Sequence, residues 1–209
     1  YVELWGVDVA GNADYCESYV IIQDNLGVCT TSSVTVAGAL KTEDLVGLQN
    51  AEVELHATHP ALPPINQLAM TDINGSYMFS NMVPINGSYT ITPMKDIDYL
   101  NGVTTWDLVL INKHILGVES FNSPYKIIAA DANNSKSVTT FDIAEIRKLI
   151  LGIYDNLPQN TSWRFVDTDH IFINPDNPFV PAFPETNSMA NVLTSQMDNG
   201  FMAMKVGDV

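Results

Sequence analysis

Hydrophobic and polar positions alternate along the first half of the chain, which is the pattern of strands that bury one face. Four segments carry this pattern or a turn entering it: residues 33 to 38, 51 to 56, 71 to 79 and 87 to 92. Short strands separated by turn residues are typical of a β-sandwich. The sequence therefore predicts a sandwich over residues 31 to 93.

The pattern changes to a helical period in residues 94 to 156, where the sequence repeats itself. The segment from Asp96 to Asp107 corresponds to the segment from Asp131 to Asp142, and each is followed by an apolar run that ends in Leu-Gly. The apolar positions of the two runs match at helical spacing: Leu108, Ile111 and Ile115, then Ile143, Ile146 and Ile150. This spacing predicts two equivalent helices, each preceded by a loop.

Both loops place oxygen atoms where an EF-hand-type loop of 12 residues surrounds Ca²⁺. In loop 1 the ligands are Asp96, Asp98 and Asp107, with the backbone carbonyls of Leu100 and Gly102. In loop 2 they are Asp131, Asn133, Ser135, Ser137 and Asp142. We therefore expect two Ca²⁺ sites. Loop 2 is expected to be the weaker, because Lys136 occupies position 6, where the chain turns sharply and glycine is usual.

A capping interpretation of the same residues stays open beside the calcium interpretation. Thr104 and Thr139 each precede an Asp by three residues, which is the spacing of a capping box at a helix N-terminus. Asp107 and Asp142 would then be acids of the first helical turn. The two interpretations are compatible.

The duplicated loop and helix, with Asp at position 12 and no helix before the first loop, resemble the type I dockerin module. The resemblance covers residues 94 to 156. It implies a pseudo-twofold pair that binds a cohesin partner through polar residues near the start of each helix. By position these residues are Thr104, Thr105, Thr139 and Thr140. The same threonines are equally well explained as caps and helix-start residues.

Two further resemblances concern the region before the repeat. The Thr-Asp-x-Asn-Gly-x-Tyr-x-Phe turn of residues 71 to 79 resembles that of carboxypeptidase regulatory-like or CnaB-like sandwiches, which implies a rigid spacer without catalytic residues. Residues 1 to 30 predict two strands joined by a turn, and they resemble the closing hairpin of an HYR-type immunoglobulin-like module. Because two strands do not make a stable domain, this hairpin is either a remnant of a module or completes a sheet of another chain.

Cys16 and Cys29, the two cysteines of the chain, lie around the second strand of that hairpin. A disulfide between them is expected in an oxidising compartment, with two free buried thiols as the alternative. Constitutive calcium loops favour the outside of a cell, where calcium is abundant.

Residues 157 to 209 contain aromatic residues and four closely spaced prolines, which predict an extended segment packed on its neighbours and a final strand over residues 200 to 207. The fold class is thus mainly β with a small α part: an Ig-like or prealbumin-like sandwich plus a dockerin-like paired loop-helix module. The order of modules resembles that of secreted multidomain surface proteins of Bacteroidota-type bacteria.

The net charge and the sequence motifs limit the classes of function that fit this chain. A formal net charge of −15, from 24 acidic and 9 basic residues, argues against a nucleic-acid partner. No apolar run is long enough for membrane insertion. Catalytic motifs are missing from the sequence, and its four histidines are scattered. We therefore expect a non-enzymatic, extracellular structural or adhesive protein that assembles with itself through strand addition; the alternative is a docking module for a cohesin-like partner.

Overall fold

The structure is a computed structural model that describes residues 2 to 18 and 32 to 209, with the backbone alone for residues 2 to 6 and 14 to 18. The chain divides into two compact units, Tyr1–Thr31 and Ser32–Val209. The predicted disulfide between Cys16 and Cys29 lies outside the described residues. Within the described part, no helix is long and apolar enough to span a membrane.

Unit 1 contains a β-hairpin, as predicted, but its second strand lies earlier than the predicted one, which was placed between Cys16 and Cys29. Strands β1 (Val2–Val7) and β2 (Ala13–Ser18) pair antiparallel in a two-stranded sheet. The Asp8 carboxylate shapes the turn, because its Oδ1 accepts hydrogen bonds from the backbone N–H of Ala10 at 2.8 Å and of Asn12 at 2.9 Å.

Unit 2 contains two four-stranded sheets. The first has the order β6 (Ser76–Pro84), β3 (Ser33–Lys41), β10 (Phe201–Lys205), β8 (Trp163–Asp167). The second has the order β5 (Leu62–Met70), β4 (Glu52–His59), β7 (Ser88–Met94), β9 (Asn187–Met189). One hydrophobic core joins the sheets: Val36 and Phe201 of the first sheet and Leu55 and Ile91 of the second are all fully buried in it. The unit is mainly β, with the architecture of a β-sandwich.

The sandwich extends beyond residues 31 to 93, because residues 157 to 209 contribute strands to both sheets. Strand β10 lies between β3, with which it pairs parallel, and β8, with which it pairs antiparallel. The final strand was predicted from its alternation. Its place inside the sheet was not predicted. Residues 32 to 209 form one compact unit.

Three short helices lie between β7 and β8: α1 (Thr105–Ile115), α2 (Pro124–Ala130) and α3 (Thr140–Ile150). Helices α1 and α3 are the predicted pair, and they pack against each other. Their matching residues Ile111 and Ile146 are fully buried in a second core. Helix α2 packs against β10 and so links the helical pair to the sandwich.

Candidate metal centre

Both helices of the repeat begin with the same capping arrangement. Asp107 Oδ2 accepts the backbone N–H of Thr104 at 2.8 Å, and Asp142 Oδ2 accepts that of Thr139 at 2.8 Å. The threonine side chains cap the helices in return. The capping interpretation is therefore confirmed for both copies. The second oxygen, Oδ1, of Asp142 bonds to the loop before its helix, whereas that of Asp107 bonds to Val209.

Loop 2 (Asp131 to Asp142) closes on itself around its own carboxylates. Asp131 Oδ1 accepts the backbone N–H of Ser135, and its Oδ2 accepts that of Lys136, both at 2.8 Å. Asp142 Oδ1 accepts the backbone N–H of Asn133 at 3.1 Å. Hydrogen bonds within the loop thus join the first position to the fifth and sixth, and the last position to the third.

The acidic side chains of loop 2 are inside the protein. Asp131 and Asp142 are both 0% exposed. Burial raises the pKa of the Asp142 carboxyl, and the neighbouring Asp131 carboxylate adds to this rise, while hydrogen bonds from Asn133 and Thr139 oppose it. Two buried carboxylates of like charge are unfavourable unless a positive charge accompanies them.

Neutral oxygen atoms complete the donor set of loop 2. The amide oxygen of Asn133 lies 3.0 Å from the backbone nitrogen of Ser135, from which it accepts a hydrogen bond. The Ser135 hydroxyl lies 3.1 Å from the carbonyl oxygen of Ser137. Two carboxylates with amide, hydroxyl and carbonyl oxygens form the all-oxygen set that Ca²⁺ prefers. The residues of loop 2 therefore fit this ion.

The sharp turn in loop 2 is made without glycine. Asn134 and Lys136 have φ values of 57° and 66°, in the left-handed region. The N–H of Lys136 is directed at Asp131 as a result. Lys136 thus adopts the left-handed conformation on which the expectation of a weaker loop 2 was based, and the relative affinity of the loops stays a prediction.

Residues far away in the sequence support loop 2 from outside. Asn160 Nδ2 donates to the backbone carbonyl of Asp131 at 2.8 Å. Arg164 of β8 donates from Nη1 to Asn134 Oδ1 at 3.0 Å, and its other nitrogens bind the Glu185 carboxylate. These contacts have no local signal in the sequence beyond an arginine within an apolar strand.

Loop 1 (Asp96 to Asp107) has a different arrangement. Asp96 and Asp98 are exposed, and Asp96 Oδ1 accepts the backbone N–H of Ser162 at 2.7 Å and the hydroxyl of Tyr99. The loop is closed by other segments of the chain, since Asp107 Oδ1 accepts the backbone N–H of Val209 at 2.9 Å.

An ammonium group lies against loop 1. Lys205, at the end of β10, is 6% exposed, and its Nζ donates to the carbonyl of Tyr99 at 2.9 Å and to the carbonyl of Ser162 at 3.3 Å. Burial lowers the pKa of the Lys205 ammonium to about 8. Three carboxylates oppose this shift: Asp208, Asp98 and Asp96.

The three acids of loop 1 do not converge. Within the described ranges 2 to 18 and 32 to 209, no group of three His, Cys, Asp or Glu side chains is arranged to hold a metal ion. Loop 2 has two carboxylates and relies on neutral oxygens for the remainder, whereas loop 1 was predicted to use three carboxylates. Asp96 accepts its hydrogen bonds from Ser162 and Tyr99, so loop 1 differs from the predicted arrangement of three ligating carboxylates, and its Ca²⁺ site stays a prediction.

The predicted partner-binding face at the helix starts is open to solvent. Thr104, Thr105 and Thr140 are exposed, and Thr139 is half-buried. The neighbouring aromatic side chains, Trp106 and Phe141, are 60% and 72% exposed. Residues 160 to 209 leave this face uncovered.

Comparisons with known proteins leave the family open. No family model matches the sequence, and no curated protein matches it. Among solved structures, the chain is similar to a C-terminal fragment of the pilus adhesin SpaC from Lactobacillus rhamnosus GG, with 18% sequence identity and a TM-score of 0.25. The match covers 32% of this chain and 25% of that fragment. So partial a likeness assigns neither fold nor function, and the family resemblances stay predictions.

Proposed function

We propose that this chain is a calcium-stabilised, non-enzymatic structural module of an extracellular surface protein. The observation that carries the proposal is the pair of fully buried carboxylates, Asp131 and Asp142, each of which accepts backbone N–H groups of its own loop. The predicted ion in loop 1 is not part of the proposal, because the carboxylates of that loop do not converge.

Calcium would supply the positive charge that the two buried carboxylates of loop 2 lack. Asp142 caps α3 while Asp131 gathers the loop before that helix. An ion held by both would fix the start of α3 to its loop, so that folding and ion binding are coupled. Sites of extracellular modules work at dissociation constants of about 10⁻⁴ to 10⁻³ M, which suits a constitutive structural role outside the cell.

Thermal melting in calcium and in chelator tests this proposal. With calcium at about 100 times the dissociation constant, binding stabilises the folded state by about 2.7 kcal/mol. For a chain of this size we expect a rise in Tm of about 5 to 10 °C. Asp142→Asn keeps the shape of the cap but removes a ligand charge, and it should abolish most of this rise.

Asp107→Asn is the matched control, since Asp107 occupies the same position and makes the same cap in loop 1. It should lower the Tm equally in calcium and in chelator. A calcium response that is lost in Asp107→Asn and kept in Asp142→Asn would contradict the assignment to loop 2.

The hairpin of unit 1 supports self-assembly by strand addition as the leading form of this role. Among the described residues of unit 1, strands β1 and β2 form a sheet of two strands, and a sheet of two strands needs further strands to become stable. A neighbouring subunit could provide them through backbone hydrogen bonds. Light scattering should then show a mass that rises with protein concentration, and Trp5→Pro, which removes a backbone N–H from β1, should abolish the rise. A monomer at every concentration would contradict assembly.

A docking module for a cohesin-like partner is the second candidate. The observation in its favour is the exposure of equivalent residues at both helix starts, Trp106 with Thr105 and Phe141 with Thr140. Exposed aromatic side chains are common anchors of protein interfaces. A purified type I cohesin domain should bind the chain, and the double variant Trp106→Ala, Phe141→Ala should weaken binding by about tenfold or more.

A further inference from the structure

A buried lysine lies beside loop 1. Lys205 is the charged group that enters the space beside this loop, and it is almost completely buried there. We propose that the Lys205 ammonium is the built-in cation of loop 1, so that this loop needs no Ca²⁺ and the chain binds one ion, in loop 2. This inference rests on the proposed function for the single ion in loop 2.

Hydrogen bonds place the ammonium against the backbone of loop 1. Lys205 Nζ donates to the carbonyl of Tyr99, at position 4 of the loop, over 2.9 Å. It also lies 3.2 Å from the hydroxyl and 3.3 Å from the carbonyl of Ser162. Three oxygen acceptors match the three donors of an ammonium group.

Ser162 connects this ammonium to the first acid of the loop. Its backbone N–H donates to Asp96 Oδ1 at 2.7 Å, and its hydroxyl donates to the carbonyl of Ile97. The rings of Tyr99 and Trp163 lie around the ammonium, with centroids 5.6 and 5.9 Å from Nζ. Cation–π attraction of this kind is strongest where water is excluded.

The carboxylate of Asp208 lies against loop 1 at Gly102, whose backbone carbonyl was predicted to bind Ca²⁺. Gly102, at position 7, has a φ of 83°, and a Cβ atom added there would overlap the Asp208 carboxylate. Asp208 follows Lys205 closely in the sequence and brings its own negative charge to the loop. The segment from Lys205 to Val209 thus inserts into loop 1 as a unit, with Val209 donating to Asp107.

Loop 2 receives no comparable group from the described residues. Lys136 directs its ammonium to Asn134 Oδ1, which is also the acceptor of the Arg164 guanidinium. The ion pairs found among the described residues include neither Lys205 nor a carboxylate of either loop. What sets loop 1 apart is the buried ammonium that is hydrogen-bonded to its backbone at Tyr99, whereas no described side-chain cation lies against loop 2 in this way.

Isothermal titration calorimetry with Ca²⁺ tests the inference through the stoichiometry. We expect one ion per wild-type chain, an unchanged ion in Asp98→Asn, and an affinity lowered at least about tenfold in Asp142→Asn. Asp98 is exposed and has a φ of 53°, a conformation that asparagine adopts as readily, so this variant preserves the fold.

The outcomes separate this inference from the proposed function. Two ions per chain, one of them lost in Asp98→Asn, would overturn the inference and leave the ion in loop 2 intact. One ion that is lost in Asp98→Asn and kept in Asp142→Asn would overturn both. If no ion binds, the proposed function fails, and the role of Lys205 is decided by the stability measurement that follows.

A double-mutant cycle in chelator measures the lysine without any ion. Lys205→Met is made in the wild type and in Asp98→Asn, and the urea midpoint of each variant is recorded. If the ammonium neutralises loop 1, the loss caused by Lys205→Met is smaller in the Asp98→Asn background. Equal losses in both backgrounds would overturn the inference. Lys113→Met, which removes the exposed pair with Glu119, is the control and should be additive with Asp98→Asn.

Discussion

Loop 1 and loop 2 have matching sequences but different structures, and the difference begins before the helix that follows each loop. From position 8 onward the copies agree: both helices are capped by the same Thr and Asp pair, and both end at a glycine with a φ of 67°. Before position 8 they diverge. Left-handed residues occupy positions 3 and 7 in loop 1 (Asp98 and Gly102), but positions 4 and 6 in loop 2 (Asn134 and Lys136).

The divergence shows that two loops with matching ligand spacing can differ in the burial of their acids. Loop 1 has three acids at the right positions and loop 2 has two, yet the loop with fewer acids encloses its carboxylates. The two loops differ in which residues donate hydrogen bonds to the first acid. Asp131 receives them from its own loop, whereas Asp96 receives one from Ser162, far along the chain.

Substitution of the first acid of each loop is expected to give the largest difference in stability between the two loops. Asp131→Ala leaves the N–H groups of Ser135 and Lys136 without their acceptor and removes an ion ligand, so it should cost about 3 to 5 kcal/mol in millimolar calcium. Asp96→Ala removes an exposed acceptor and should cost about 1 kcal/mol. Urea unfolding of both variants checks this, and equal costs would show that the loops are equivalent.

Substitutions at position 7 are expected to give a smaller difference in stability between the two loops. Gly102→Ala places a Cβ atom against Asp208 at a backbone conformation that favours glycine, and it should lower the unfolding free energy by about 1 to 3 kcal/mol. Ser137→Ala, at the same position of loop 2, should cost about 0.5 kcal/mol, since the backbone carbonyl stays in place. The same urea experiment measures both, and a Gly102→Ala chain as stable as the wild type would refute the close approach of Asp208.

Substitutions at position 6 have the smallest expected effects on stability, and the effects in the two loops have opposite signs. Lys136→Gly relieves a left-handed lysine and should stabilise the fold by about 0.5 to 1 kcal/mol. Asn101→Gly should instead destabilise it by about 0.5 kcal/mol, because Asn101 has no positive φ and glycine adds only freedom to the unfolded chain. Melting curves in chelator separate these effects from ion binding. Stabilisation by both substitutions would mean that the two loops share one backbone conformation.

The periodic elements could be predicted from the sequence, since each carries its own signal. Strands β3, β4, β7 and β10 and helices α1 and α3 show the alternation or helical spacing that burial of one face requires. Strand β5 was missed because Pro63 and Pro64 argue against a strand, although both are tolerated at the sheet edge that β5 occupies. Helix α2 has seven residues and β9 has three, too few to show a period.

The candidate site was predicted as a set of residues but not as a geometry. Local spacing identified both loops, and the threonine caps are present where the pattern indicated them. It could not tell the loops apart, because the distinction depends on Ser162, Lys205 and Val209, which reach loop 1 from distant parts of the sequence. The residues next to Lys205 in the sequence do not indicate which loop its side chain contacts.

The strand order of the first sheet has a consequence for the folding pathway. Strand β10 pairs with β3 through Phe201 and Leu40, which stand near opposite ends of unit 2 in the sequence. The helical pair is built from neighbouring segments and closes with little loss of chain entropy, whereas this sheet requires almost the whole unit to be brought together. We therefore expect closure of this sheet, rather than formation of the helices, to limit the rate of folding.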